Sequence, residues 1–197
     1  MAEQLTVFDR QGNEIGVEER EKVHTEGLWH HTFQCWFVEV IAGEPYIYFQ
    51  HRSKDKKDFP DKLDITAAGH IGAEESIVEA GVREIVEELG IEVSASDLQY
   101  QGCFREEIHT GTMIDREFCH IFLYPLQKLP DFQVTEEVSD IMRLSLEGFE
   151  EILQGQSKNG RYLMSGLEKT ISLDDFCPHS QGYFSFIIKA TRKLFAF

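Results

Sequence analysis

Between residues 69 and 91 the chain reads GHIGAEESIVEAGVREIVEELGI, and no other stretch limits the fold as tightly. Val78, Val82, Ile85 and Leu89 recur at steps of four, three and four, the repeat of one side of an α-helix. That side must face a core. Gly90 follows as a left-handed stop and Ile91 resumes an apolar run, so the unit is loop, helix, turn and strand. Glu84, Glu87 and Glu88 fall within roughly 100° of one another and about 140° from the centre of the apolar stripe.

Carboxylates spaced i, i+3 and i+4 repel one another by about 0.2–0.5 kcal/mol per neighbouring pair on a bare helix surface. A solvated acidic face is the plain reading of such a run. The chemical reading is a seat for magnesium, which takes oxygen ligands and is shared between protein carboxylates and substrate phosphates. Arg83, beside Glu84, can pin a carboxylate through a two-pronged hydrogen bond.

Written out, the stretch is Gly69-x5-Glu75-x7-Arg83-Glu84-Ile85-x-Glu87-Glu88-x-Gly90-Ile91, and it resembles the signature box of the Nudix hydrolase superfamily at every position. The resemblance implies an α/β fold, an α/β/α sandwich with a mixed sheet. It implies cleavage of a diphosphate bond, in a small nucleoside-diphosphate-like or other organic diphosphate, by water activated with Mg2+ or Mn2+. By that resemblance Glu84, Glu87 and Glu88 hold metal with the Gly69 carbonyl, Glu75 and Gly90 shape the box, and Arg83 orients a glutamate. A box glutamate such as Glu84 or Glu87, or a later acid, Glu136 or Glu137, would take the proton. Glu117 is either a further carboxylate beside the metals or a strand residue facing solvent.

Residues 8–75 resemble more narrowly the branch that contains isopentenyl-diphosphate isomerases, through Trp29-His30-His31-Thr32-Phe33 and Gln50-His51-Arg52. In those isomerases a cysteine precedes the first glycine of the box and a histidine follows it, whereas this chain has Ala68, Gly69 and His70. Protonating a carbon–carbon double bond needs an acid beside it, and Ala68 has no proton to give. Isomerase-like activity is therefore the second reading. The Asp115-Arg116-Glu117 motif resembles the acid-x-acid segment of the isomerase metal site. By that resemblance His24, His30 or His31, His70, Asp115 and Glu117 could form a second, nitrogen-rich metal site, while hydrogen-bonding pairs are the plain reading of a histidine near an acid. A ligand-sensing module without activity is a third reading, and it would be expected to carry a broken box.

The 197 residues contain no repeat or linker, so one domain over 1–197 is expected. Lysine and arginine total 19 against 35 acids, a net charge of −16, which argues against a nucleic acid duplex as partner and requires anionic substrates to arrive with metal. The four cysteines have no metal-binding spacing and read as reduced thiols. With no run of eighteen apolar residues and no leader, a cytoplasmic protein without a membrane partner is expected.

An N-terminal β-hairpin is expected from residues 5–8 and 14–17, helical turns over 18–24, and strands at 32–41, 46–50 and 63–68. Long strands at 98–108 and 114–126 would join around 109–112, with an apolar run at 138–144 and a helix over 147–153 closed by Gly155. Residues 156–175 carry no clear pattern. Tyr183, Phe184, Phe186, Ile187, Ala190, Leu194 and Phe195 mark a C-terminal amphipathic helix that should pack on the sheet; an exposed aromatic face there would signal a homodimer contact. The loops at 53–62, 109–114 and 156–175 are placed to read the group attached to the diphosphate.

Overall fold

The computed structural model describes residues 2–111 and 113–196, and within them eleven strands form one mixed sheet. Thr112, in the expected turn, and Met1 and Phe197, the ends of the expected domain, lie outside the described residues. β1 (Gln4–Phe8) and β2 (Glu14–Glu19) make the expected hairpin, and the Asp9 carboxylate closes its turn on the Gln11 and Asn13 N–H groups. α1 (Arg20–Glu26) starts later than the charged run suggested, because Glu18 and Glu19 still pair with β1.

The central strand is β3 (Trp29–Ile41). Its hydrogen bonds to β4 (Glu44–Arg52) begin only at Val38; upstream of that point the two strands fork. β5 (Leu63–Ile65) continues beside β4 and β6 (Ala67–His70) beside β3. Thr66 sits at the fork, where its hydroxyl donates to the Tyr48 carbonyl (2.5 Å) and accepts the Phe37 N–H (3.0 Å). The single strand expected over 63–68 is split there for this reason, and the split lays Gly69 opposite Phe33.

α2 (Ile77–Leu89) is the helix of the box. Its N-terminus is a capping box between Ser76 and Glu79, and Gly90 ends it at φ 64°. Ile85 and Leu89 are fully buried, worth about 1.5–3 kcal/mol each. They meet Phe33, Phe37 and Phe122 on one face of the sheet. After α2 come β7 (Gln99–Thr110), β8 (Met113–Pro125), which runs parallel to β3, and β9 (Val138–Ser145), which pairs with β4.

α3 (Leu146–Leu153) and α4 (Gln181–Phe195) cover the opposite face over Trp36, Phe49 and Ile121, which completes the α/β/α sandwich. Tyr183, Phe184 and Ile187 are buried in that layer, so α4 spends its aromatic face on the sheet. Residues 156–175 include β10 (Lys158–Tyr162), which pairs with β9, and the edge strand β11 (Glu168–Ile171). All four cysteines are free, with Cys103 exposed and Cys35, Cys119 and Cys177 buried. No described helix is long and apolar enough to cross a membrane.

Candidate active site and metal centres

The fork brings β6 under the second half of α2. A Cβ on Gly69 would lie 2.0 Å from the Glu84 carboxyl carbon, so only glycine lets this carboxylate lie against the strand. One turn later Glu88 is 4% exposed; its Oε2 accepts the Ala68 N–H (3.0 Å), and Gln50 Nε2 lies 3.2 and 3.3 Å from its two oxygens. Glu87 alone remains open, its side chain 58% exposed. The helical wheel alone puts all three carboxylates on an outward acidic flank. The structure corrects this, because β6 turns that flank into the wall of a cavity.

Arg83 organises the wall. Its Nε and Nη2 each donate to Glu75 at 2.9 Å, its Nη1 reaches Glu84 (2.7 Å) and Glu87 (3.0 Å), and Nη2 also reaches the His70 carbonyl (3.3 Å). Glu75 in turn accepts the Gly72 N–H (3.3 Å). Burial raises the pKa of Glu84 against the pull of Arg83, and burial pushes Glu88 up to about 8. Gln50 Oε1, buried in the same place, has no hydrogen-bond partner among the described residues. Desolvated carboxylates with too little positive charge beside them, all offering oxygen, fit a hard divalent cation such as Mg2+ or Mn2+.

A second constellation shares the cavity. The rings of His24, His30 and His70 stand 5.1–5.2 Å apart, centre to centre. Nδ1 of His24 faces the Arg20 carbonyl (2.9 Å) and Nδ1 of His30 the Leu28 carbonyl (3.1 Å), contacts that place those protons on Nδ1 and leave Nε2 as a ligand atom. Both Nε2 atoms point at Asp115 Oδ1, 3.7 and 3.6 Å away, too far for hydrogen bonds and close enough to share an ion. His30 Nε2 and Asp115 Oδ1 are buried and unpartnered among the described residues. Burial depresses the His30 pKa to about 4, which keeps the ring neutral and able to ligate.

Glu117 joins His30 and Asp115 in this group and accepts a hydrogen bond from Gln34 Nε2 (2.9 Å), so it is a cavity residue and not a solvent-facing strand position. Burial, then the charge of Asp115, pushes its pKa well above the usual range. The structure excludes His31 from the cluster. Alternation along β3 turns it to the other face, where its Nδ1 lies 2.5 Å from His120 Nε2 in a stacked pair.

The two groups meet at one cavity of about 410 Å3, lined by Glu84, Glu87, Glu88, His24, His70, Asp115 and Glu117, with His30 buried beside His24 and His70. Lys56, Arg20 and Arg83 bring positive charge to it, and Glu137 lines it from the loop before β9, paired with Lys56. Glu136 is exposed and is not among the lining residues. Sequence reasoning missed Gln34, Gln50, Asp64 and His179. For the two glutamines a signal existed, a polar residue inside an otherwise apolar strand; for Asp64 and His179 none did.

A model of the NUDIX domain matches residues 30–164. An uncharacterized Nudix hydrolase of Clostridium acetobutylicum is 35% identical over 94% of this chain and 95% of its own length. An isopentenyl-diphosphate Δ-isomerase of Citrobacter koseri is 27% identical over 79% of this chain and 82% of its own length. Among solved structures, a Deinococcus radiodurans protein superposes with a TM-score of 0.57 at 20% identity over 78% of this chain and 91% of that one. The NUDIX domain of Shewanella oneidensis NrtR, solved with ADP ribose, gives 0.50 at 13% identity over 84% and 87%. These two share the fold. With the box complete, its carboxylates gathered at one cavity and the family model spanning the central strands and α2, the chain belongs to the Nudix hydrolase family.

Proposed function

We propose that this chain, acting as one domain, hydrolyses the diphosphate bond of a small organic diphosphate, nucleoside-diphosphate-like or other, with Mg2+ or Mn2+ seated on Glu84, Glu87, Glu88 and the Gly69 carbonyl. The observation that carries this reading is the inward turn of the box: Glu84 and Glu88 are held in the wall of the cavity that also receives Lys56. A divalent cation there would screen the diphosphate and acidify the attacking water. Arg83 fixes the wall by holding Glu75, Glu84 and Glu87 together. Glu84 takes the proton through Oε2, the oxygen Arg83 leaves free, with Glu137 as the second candidate. Lys56 and Arg20 meet phosphate oxygens, which lets a chain of charge −16 hold an anion.

His24, His30, His70, Asp115 and Glu117 are proposed to hold a second cation in the same cavity, on the strength of the unpartnered His30 Nε2 and Asp115 Oδ1. Isomerisation stays the second reading, supported by the isomerase relatives and opposed by Ala68, whose N–H braces Glu88 and whose side chain offers no acid. The complete box speaks against a purely ligand-sensing module. Incubation with a panel of nucleoside, coenzyme and isoprenoid diphosphates, with each metal in turn, tests the proposal. Release of a monophosphate product supports it, and allylic product from isopentenyl diphosphate without phosphate release would reverse the order.

A further inference from the structure

One buried charge in the wall of the cavity has no part in the reaction above. His179 precedes α4 and its side chain is 7% exposed. Its Nδ1 stands 2.7 Å from Glu106 Oε2 on β7, and its Nε2 3.1 Å from Asp64 Oδ1 on β5. A carboxylate on each ring nitrogen calls for a proton on each, so the ring is an imidazolium. Burial alone would lower its pKa; the hydrogen bonds to Asp64 and Glu106 outweigh it and push it up to about 10.

The contacts run on in both directions. Glu106 Oε1 accepts the Ser180 N–H (2.6 Å) at the N-cap of α4. Asp64 Oδ2 accepts from Arg52 Nη1 (2.9 Å), and Arg52 spends its remaining reach on the loop at 53–62. Its Nη2 donates to the Asp58 carbonyl (2.8 Å) and its Nε to the Phe59 carbonyl (3.2 Å). Phe59 and Asp61 have φ values of 48° and 61°, a region that side chains other than glycine occupy only where surroundings hold them. The same loop carries Lys56 into the cavity.

We propose that His179 is a positioning residue: at the centre of the chain Ser180, Glu106, His179, Asp64, Arg52, it ties the start of α4 to the 53–62 loop and so sets Lys56 over the bound diphosphate. What Lys56 meets rests on the reading above; the placement of the loop does not. His179 lies beyond residues 30–164, so a segment outside the matched domain governs a loop inside it.

Three measurements test this: calorimetric binding of inorganic diphosphate with Mn2+, trypsin cleavage within 54–57, and KM and kcat on the best substrate. His179→Gln is the first variant. Glu106→Gln with His179→Gln is the second, since the first leaves Glu106 with no cationic partner while Asp64 keeps Arg52, and neutralising Glu106 protects folding. Both should bind diphosphate about tenfold more weakly and lose loop protection, with KM raised and kcat within about threefold of the parent. In a Lys56→Met background the His179 effect on diphosphate binding should shrink below about twofold, as it must if the two residues act in series. Unchanged binding and loop cleavage in both variants, or an undiminished loss in the Lys56→Met background, would overturn the proposal. A parent protein that binds inorganic diphosphate yet turns over no organic diphosphate would instead defeat the hydrolase reading.

Discussion

Gly69 and Glu84 approach so closely that a single methyl group between them would overlap the carboxyl carbon at 2.0 Å. The glycine of the box is therefore an opening through which a carboxylate lies flat on a strand. Gly69→Ala should leave the fold intact and displace Glu84. A misplacement near 1 Å costs on the order of 100-fold in rate, and steady-state kinetics alongside circular dichroism would show it. A variant with parental kcat would mean that Glu84 is not needed where it stands.

The histidine cluster makes a separate prediction about stoichiometry. Asp115→Asn removes the charge that faces Nε2 of His24 and His30 but touches no residue of the box. Manganese titrated by calorimetry should occupy one site fewer per chain than in the parent, with the box site retained. Equal stoichiometry would assign the cluster to hydrogen bonding alone.

His179 sets the sign of a pH effect. Its folded pKa, about 10, stands above the ordinary 6.5, so its contribution to stability is full below about pH 6.5 and is lost as pH rises through 10. Asp115 and Glu117 also lie in its field, and of the remaining facing groups burial keeps Cys177 and Tyr183 protonated through this window. Urea denaturation of the parent and of His179→Gln should differ by about 3 kcal/mol at pH 6, and the difference should narrow toward pH 10. A gap that widens with pH would contradict the charged form.

Gly81 tests packing without chemistry. A Cβ there would meet the Phe33 ring at 2.2 Å, where α2 crosses β3. Gly81→Ala should cost about 1–3 kcal/mol of stability by overpacking, read from denaturant midpoints. A more stable variant would show that α2 can lift off the sheet.

The sequence carried α2 with its stop, because those signals are local: an apolar period and Gly90. It could not show that Glu88 is buried, since that depends on β6 passing beneath the helix, a pairing between distant residues. The choice between His30 and His31 needed the register of β3 against β8, which places His30 opposite Glu117. Residues 156–175 looked patternless because β10 and the edge strand β11 carry Asn159, Arg161, Glu168 and Lys169 at exposed positions, where alternation of apolar residues fades. The chain from Glu106 through His179 to Asp64 joins three segments far apart in sequence and leaves no local trace.

The account stands on the box carboxylates as the seat of a divalent cation that serves a diphosphate. The most direct measurement is magnesium-dependent turnover of the best diphosphate by Glu87→Gln and Glu88→Gln, each checked for folding. The account predicts a loss of at least about 100-fold in kcat for each, together with weakened Mg2+ uptake. Folded variants that turn over the same substrate at close to the parental rate would contradict it.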